Sequence, residues 1–105
     1  MKITAINKIN VSHNIFATRK ALADEYGISE RTVDNRMKEI EEETERYGKY
    51  AVLKEGYMKV VNYLVWVDFM ANRRLLREKN LRKHVDPYDP VEIAKSIGLY
   101  VVPND

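Results

Sequence analysis

The sequence contains no cysteine, and only four glycines and three prolines occur among its 105 residues. Without cysteine, neither a disulfide framework nor a thiolate metal site can form. The glycines are scattered singly, so no glycine-rich loop is present to hold a phosphate group. His13 and His84 are isolated from each other, and we expect surface or structural histidines, not metal ligands.

Long apolar runs are also missing. The longest, Tyr63 to Val67, is far too short to cross a bilayer. No apolar stretch follows Lys2 as it would in a signal peptide. The chain is 45% hydrophobic and 32% charged, which is typical of one globular domain. We therefore expect a cytoplasmic protein without membrane contact.

No arrangement of side chains indicates catalysis. No nucleophile stands at a recognisable spacing from a base, and the acidic pair Asp24-Glu25 is typical of a solvated helix face. We expect a protein that is not an enzyme and that needs no cofactor, metal or small-molecule substrate.

Charge is unevenly distributed, although the net charge is only +2. An acidic block is formed by Glu39, Glu41, Glu42, Glu43 and Glu45. A basic block is formed by Arg73, Arg74, Arg77, Lys79, Arg82 and Lys83. Such segregation favours a molecule with one face for anions. The alternatives are two solvated helix faces, or pairing of the blocks within one molecule or between neighbours.

Capping residues and glycines divide the first half of the chain into short elements. β-branched residues and asparagines make residues 1–17 an extended segment. A helix is predicted over 18–26, ended by Gly27, which tolerates the left-handed conformation. A second helix is predicted over 30–45. The predicted N-caps of these helices are Thr18 and Ser29.

A hairpin and a third helix follow. β-formers on both sides of Glu55-Gly56 predict a hairpin over 50–61, with the glycine supplying positive φ in the turn. Asn62 caps a predicted helix over 63–80, which begins apolar on almost every side. One face of this helix closes the core, and the other meets the C-terminal tail or, alternatively, another subunit.

The remaining residues, 81–105, form a C-terminal extension. Asp89-Pro90 marks the start of a short helix over 90–97, with Asp as the cap and Pro at the first position. The predicted fold is mainly α with a small β-hairpin (α+β), and its central domain spans 18–80.

The first two predicted helices are joined by only about three residues, as in a helix-turn-helix. Val33, Met37 and Ile40 share one face of the second helix. Leu22 and Tyr26 offer a matching face on the first. Two helices held by these contacts cross steeply, and the far side of the second helix stands free.

The free side carries groups suited to the major groove of DNA. The predicted contacts of this recognition helix are Arg31, Thr32, Asn35, Arg36 and Lys38. Arginine pairs with guanine and asparagine with adenine through two hydrogen bonds, and Lys and Thr suit phosphates. Because the glutamates at its far end are repelled by DNA, the helix enters by its N-terminal half. The alternative is a helical hairpin with a polar solvent face.

Further contacts are predicted around this helix. Lys54, Tyr57 and Lys59 lie near the hairpin tip, where they reach the DNA backbone or minor groove, or alternatively guard a strand edge. Glu30 and Asp34 either accept a hydrogen bond from cytosine N4 or disfavour binding to wrong sequences. Possible phosphate contacts are Arg19, Arg73, Arg77 and Lys83.

Residues Thr18 to Arg74 resemble a winged helix-turn-helix of the excisionase or MerR-like kind. The stretch "RKALADEYGISERTVDNRMKEIE" is similar to the family's two-helix reading unit. "YAVLKEGYMKVVNYLVWVDFMANRR" resembles its wing and packing helix. The chain departs from the family in a longer, more acidic recognition helix and in the extension from Lys79 onward.

The resemblance implies a small protein of a phage, plasmid or conjugative element. Such proteins bind near attachment sites, bend DNA and direct an integrase toward excision, without catalytic activity of their own. By position, the resemblance carries base and phosphate contacts onto Arg31, Thr32, Asn35 and Arg36, and wing contacts onto Lys54 and Lys59.

Three functions remain open at this stage. The first is an excisionase-like architectural factor that binds double-stranded DNA, with an integrase or recombinase, or copies of itself, as partner. The second is a small phage or plasmid transcriptional regulator of the same fold. The third is an adaptor that binds a protein through the apolar helix and the tail.

Overall fold

The structure is a computed structural model that describes residues 8–9, 15–98 and 100–101. Most of the predicted extended segment, together with His13, lies outside the described residues. The described part has a mixed α+β fold, in which helices pack on a small antiparallel sheet of three strands. None of its helices has both the length and the apolar character needed to cross a membrane.

The elements follow one another with short connections. The α-helices are α1 Arg19–Tyr26, α2 Glu30–Glu42, α3 Thr44–Tyr47, α4 Tyr63–Leu76 and α5 Pro90–Ser96, and a 3₁₀ turn covers Arg82–His84. The strands are β1 Lys8–Ile9, β2 Phe16–Thr18, β3 Val52–Glu55, β4 Met58–Asn62 and β5 Tyr100–Val101.

The predicted helix starts are confirmed by their caps. The Thr18 hydroxyl accepts from the Ala21 N–H, and the Ser29 hydroxyl accepts from the Thr32 N–H. Asn62 and Asp89 cap α4 and α5 in the same way. These side chains satisfy N–H groups that the first turn of a helix leaves without a partner. Gly27 ends α1 with φ at 65°.

Two predicted helix ends are wrong. The helix expected to reach Glu45 stops at Glu42, and a separate turn, α3, follows after a change of direction at Glu43. The helix expected to reach residue 80 ends at Leu76, whose carbonyl accepts from Arg82 Nη1 at 2.6 Å. The end of α4 is therefore contacted by a residue six positions further along the chain, whereas the residues after α2 contact α4, more than twenty positions away.

The change of direction before α3 places two of its side chains against a buried carboxylate. Asp68 of α4 is 7% exposed. Arg46 donates to its two oxygens at 2.9 and 3.2 Å, and the Tyr47 hydroxyl donates at 2.5 Å. Burial, together with the neighbouring carboxylate, raises the pKa of Tyr47. A straight continuation of α2 would not make these contacts.

The predicted hairpin is confirmed, and it is extended by a third strand. β3 and β4 pair antiparallel with Glu55 opposite Met58, which leaves Gly56-Tyr57 as a two-residue turn. Gly56 has φ at 59°, as the first position of a type II′ turn requires. β2 pairs with the other edge of β4, an arrangement that the sequence indicated only as extended chain.

The core lies between α1, α2, the sheet and α4. Its largest fully buried side chains include Trp66 and Phe69 of α4. The second face of α4 meets the tail, as expected, because Leu64 packs with Ala94 and Ile93 of α5. Tyr88, from the segment before α5, packs edge-on against Tyr47 with ring centroids 5.2 Å apart.

Candidate functional site

The inner side of α2 is completely buried. Val33, Met37 and Ile40 are each 0% exposed, and Leu22 of α1 is also 0% exposed. Tyr26 contributes less than expected, because it is 37% exposed and packs edge-on against Trp66. Since this apolar stripe holds α2 against the body, its opposite side faces solvent.

That opposite side carries an outer ridge formed by Arg31, Asn35 and Lys38, all of which are exposed. A helix turns by about 100° per residue, so these three positions point roughly opposite to Val33. Glu42 continues the same line and is exposed as well. The ridge therefore presents a guanidinium, an amide and an ammonium group, followed by a carboxylate at its far end.

One flank of α2 is fastened to the β3–β4 hairpin by charge. Lys59 Nζ lies 2.8 Å from Asp34 Oδ1 and 3.7 Å from Glu41 Oε1, and the lysine side chain is 8% exposed. Lys54 Nζ lies 3.2 Å from Glu41 Oε2 but stays 58% exposed. Lys59 lies near the hairpin tip, as expected, but its side chain is enclosed between the sheet and α2 and does not project outward as a wing contact would.

Asp34 lies close to two cations besides Lys59. Lys38 Nζ and Arg19 Nη1 lie 3.5 and 3.7 Å from its oxygens. The hydrogen bond from Lys59, followed by the charges of Lys59 and Lys38, outweighs burial and lowers the pKa of Asp34. Arg19 also donates to the Tyr57 carbonyl at 3.1 Å. A single carboxylate thus links α1, α2 and the hairpin, and it is not free to read a cytosine.

The other flank of α2 is fastened to α4. Glu39 accepts from Arg73 at 2.8 and 3.0 Å, and Arg77 Nη1 lies 3.0 Å from it. Arg36 lies 3.7 Å from the same carboxylate with 24% of its side chain exposed, so it belongs to this flank and not to the outer ridge. Burial raises the pKa of Glu39, but the hydrogen bond from Arg73 and the three arginine charges outweigh it, and the pKa is lowered.

These contacts correct two predicted phosphate contacts. Arg73 and Arg77 are engaged by Glu39 and are not freely available to DNA. Arg82 is likewise engaged by Glu43 at 2.7 Å. The acidic and basic blocks therefore pair in part within one molecule, which was one of the alternatives, while Arg74, Lys79 and Lys83 of the basic block remain exposed.

The remaining predicted contacts are spread over the surface. Thr32 is partly buried, and its hydroxyl bonds with that of Ser29 at 2.9 Å. Tyr57 is 99% exposed at the hairpin turn. Lys83 is exposed in the 3₁₀ turn beyond α4. Of the predicted set, Arg31, Asn35 and Lys38 form one continuous surface, and the hairpin tip lies beside it through Arg19.

No group of three or more histidines, aspartates or glutamates suited to a metal occurs in the part of the chain that the structure describes. A groove of about 640 Å³ between α4 and the tail is lined by Asp68, His84 and Asp86, among others. Its most buried carboxylate, Asp68, already accepts from Arg46 and Tyr47. Asp68 is therefore not available to a ligand in this groove.

A simple signal for the enclosed position of Lys59 is present in the sequence. Side chains alternate between the two faces of a strand, so Lys59 shares a face with Val61. In the register, Lys54 lies opposite Lys59 and Val52 opposite Val61. Since the valines are buried, the lysines on their face must turn toward α2, where Asp34 and Glu41 lie.

A scan against protein-family models finds no match for this chain, and comparisons with curated protein sequences and with solved structures find none either.

Proposed function

We propose that this protein binds double-stranded DNA as a winged helix-turn-helix. In this proposal α1 and α2 form the helix pair, the β3–β4 hairpin is the wing, and α4 closes the core beneath them. One observation carries the proposal: Val33, Met37 and Ile40 are fully buried, whereas Arg31 and Asn35 are exposed on the opposite side of α2.

The outer ridge has the chemistry of direct base readout. Arg31 offers paired donors that match guanine O6 and N7, and Asn35 offers the donor and acceptor that match adenine. Lys38 is placed for a phosphate. Glu42 ends the ridge, so the helix enters the major groove by its N-terminal half.

The pairing of acidic side chains supports the proposal. α2 carries many carboxylates, which phosphates repel. Asp34, Glu39 and Glu41 each have a cationic partner within 4 Å on the flanks of the helix. The surface presented to DNA is therefore less negative than the sequence of α2 indicates.

We further propose an excisionase-like role in a mobile element, acting in the cytoplasm with an integrase, a recombinase or other copies of the chain. This part rests on the resemblance over Thr18 to Arg74. Bending of DNA at an attachment site would support it. A two-fold dimer bound to a palindromic operator would instead indicate a transcriptional regulator.

A salt titration of duplex binding tests DNA binding itself. Few phosphate contacts are expected because most lysines and arginines of the described residues have a carboxylate partner. Even two contacts correspond to a fall in affinity of about tenfold between about 50 and 200 mM salt. Fluorescence anisotropy of a labelled duplex measures this dependence. Absence of duplex binding at the lower salt concentration rejects the proposal and leaves the adaptor function.

A further inference from the structure

The tip of the β3–β4 hairpin exposes two consecutive large side chains. Tyr57 is 99% exposed and Met58 is 57% exposed. The turn consists only of Gly56 and Tyr57, so the tip is as narrow as a two-stranded ribbon allows. The tip therefore offers one aromatic and one flexible apolar side chain, side by side, to a partner that can accommodate a narrow ribbon.

The tip has a defined position relative to α2. Arg19 donates to the Tyr57 carbonyl at 3.1 Å, and its guanidinium also lies 3.7 Å from Asp34 of α2. A cleft of about 180 Å³ lies between the tip and the beginnings of α1 and α2, with Glu30 and Met58 among its lining residues. The tip is thus held beside the N-terminal half of α2, the half that carries Arg31 and Asn35.

The tip has few means of holding phosphates. Lys54 and Lys59, the cations nearest the turn on the two strands, are both directed toward acidic groups of α2. Glu55, which precedes the turn, would be repelled by a phosphate. Within the hairpin, contact with DNA is therefore left to the apolar and aromatic side chains of the tip.

We propose, on the basis of the proposed DNA binding, that Tyr57 and Met58 form a wedge that enters the minor groove and separates two stacked base pairs next to the segment read by α2. Apolar side chains inserted between base steps unstack them and kink the duplex toward the major groove. The Tyr57 ring stacks on the exposed base face, and the flexible Met58 side chain fills the opened step.

The wedge predicts a preference for certain DNA sequences that does not come from the bases read by α2. Pyrimidine–purine steps such as TA and CA/TG unstack most easily, so insertion favours sites with such a step at a fixed distance from the bases read by Arg31 and Asn35. The specificity at that step comes from deformability and not from hydrogen bonds.

The test uses the full chain and a duplex of about three helical turns, about 30 base pairs, carrying a sequence selected by the wild-type protein from a random pool. Dyes at the two ends report bending by energy transfer, and 2-aminopurine placed at successive positions reports unstacking. The variants are Tyr57→Ser and Met58→Ser. Tyr50→Ser is the matched control, because Tyr50 is also exposed, at 69%, but lies at the other end of the hairpin.

Wild-type protein is expected to bend the duplex and to raise 2-aminopurine fluorescence at one step only. Tyr57→Ser is expected to abolish that rise, to reduce the bend and to lower affinity about tenfold, the loss of one stacking contact. Tyr57→Trp restores all three quantities, and Tyr50→Ser leaves them unchanged. Circular dichroism checks that every variant is folded.

Other results would reject the proposed wedge and leave the proposed DNA binding intact. Duplex binding with no bend and no unstacking rejects it. A loss of affinity in Tyr57→Ser with bend and fluorescence unchanged also rejects it, because the tip then lies against the groove wall. A change in sedimentation of the free protein on Tyr57→Ser assigns the tip to a second copy. Failure of the wild-type protein to bind any duplex is a different outcome, which rejects the proposed function itself.

Discussion

Lys59 Nζ in β4 lies 2.8 Å from Asp34 Oδ1 in α2, and only 8% of the lysine side chain is exposed. This ion pair fastens the hairpin to the helix that carries the outer ridge. Removing one member of a buried ion pair leaves the other charge without compensation. Lys59 is therefore expected to contribute to folding and to the placement of the hairpin, and not directly to phosphate binding.

Replacement of Lys59 by methionine tests this role. Lys59→Met is expected to lower the free energy of unfolding by about 1–2 kcal/mol, which is less than for a fully buried pair because Asp34 keeps Lys38 and Arg19 as partners. Urea denaturation followed by the fluorescence of Trp66, the single tryptophan, measures the change. The double variant Asp34→Asn with Lys59→Met is expected to lose less stability than the sum of the two single variants, because both substitutions act on the same ion pair.

Lys54→Met is the matched control for Lys59→Met. Lys54 pairs with Glu41 at 3.2 Å but is 58% exposed, so its loss costs at most about 1 kcal/mol. If Lys59→Met kept full stability and weakened binding to all duplexes alike, Lys59 would be a phosphate contact as the sequence predicted.

Arg31 and Asn35 are expected to set the sequence preference. Arg31→Ala or Asn35→Ala should reduce the difference in binding free energy between the selected site and an unrelated duplex by about 1–3 kcal/mol. Both side chains are exposed, so stability should remain nearly unchanged. Competition binding with the two duplexes measures the preference.

Glu42→Gln is the control for those variants, since Glu42 lies on the same side of α2, about three turns beyond Arg31. It is expected to leave the preference unchanged and to strengthen binding to both duplexes slightly, because a negative charge near phosphates is removed. If Arg31→Ala lowered the affinity for both duplexes equally, the outer ridge would contact only the DNA backbone.

The sequence was sufficient where structure depends on near neighbours in the chain. Thr18, Ser29 and Asn62 act as caps through bonds two or three residues ahead. The apolar face Val33, Met37 and Ile40 follows from helical spacing alone. These features need no knowledge of tertiary contacts, and all of them were predicted.

The sequence was insufficient where structure depends on distant partners. Arg73 looked available to phosphates because nothing near it in the chain identifies Glu39, 34 positions away, as its partner. The end of α2 depends on Asp68, which draws Arg46 and Tyr47 to α4. The third strand, β2, depends on the free edge of β4. In each case the partner is chosen by the fold.

Arg73 and its neighbour Arg74 test how far a distant partner in the fold determines the role of a side chain. Arg73 makes two hydrogen bonds to Glu39, whereas Arg74 is exposed on α4. Arg73→Ala is expected to lower the free energy of unfolding by about 1–2 kcal/mol, as for a charged hydrogen-bonded group. Arg74→Ala should change stability by less than about 0.5 kcal/mol.

Arg73→Ala also tests the corrected phosphate contact. Because Arg73 is engaged by Glu39, Arg73→Ala should leave the salt dependence of duplex binding unchanged. A reduction of the slope of log affinity against log salt by about one would show that Arg73 leaves Glu39 for a phosphate. Anisotropy at a series of salt concentrations provides the slope.

Lowering the pH is expected to weaken the ion pairs of Asp34 and Glu39 on the two flanks of α2. The pKa of Asp34 is lowered from its ordinary value of 3.8, chiefly by the hydrogen bond from Lys59. The pKa of Glu39 is lowered from 4.5, since Arg73 and the neighbouring arginines outweigh the effect of burial. With both values depressed, the unfolded chain binds protons at a higher pH than the folded chain, so stability falls as pH falls.

The stabilising contribution of these two carboxylates is therefore complete well above their ordinary pKa values. It is lost progressively as pH drops through 4.5 and 3.8 toward the lower pKa values of the folded state. The free energy of unfolding, measured in urea from pH 7 to pH 3, is expected to fall mainly below about pH 5. The double variant Asp34→Asn with Glu39→Gln should be less stable at pH 7 and should lose less stability on acidification.

Asp24→Asn is the control for the acid experiment. It removes a carboxylate from an exposed pair with Lys20, whose side chain is 76% exposed, and it leaves the flanks of α2 intact. Its stability is expected to follow that of the wild-type protein at every pH. If the double variant lost as much stability between pH 7 and pH 3 as the wild-type protein, Asp34 and Glu39 would not be the groups through which acid acts, and the flanks of α2 would be held by packing and not by charge.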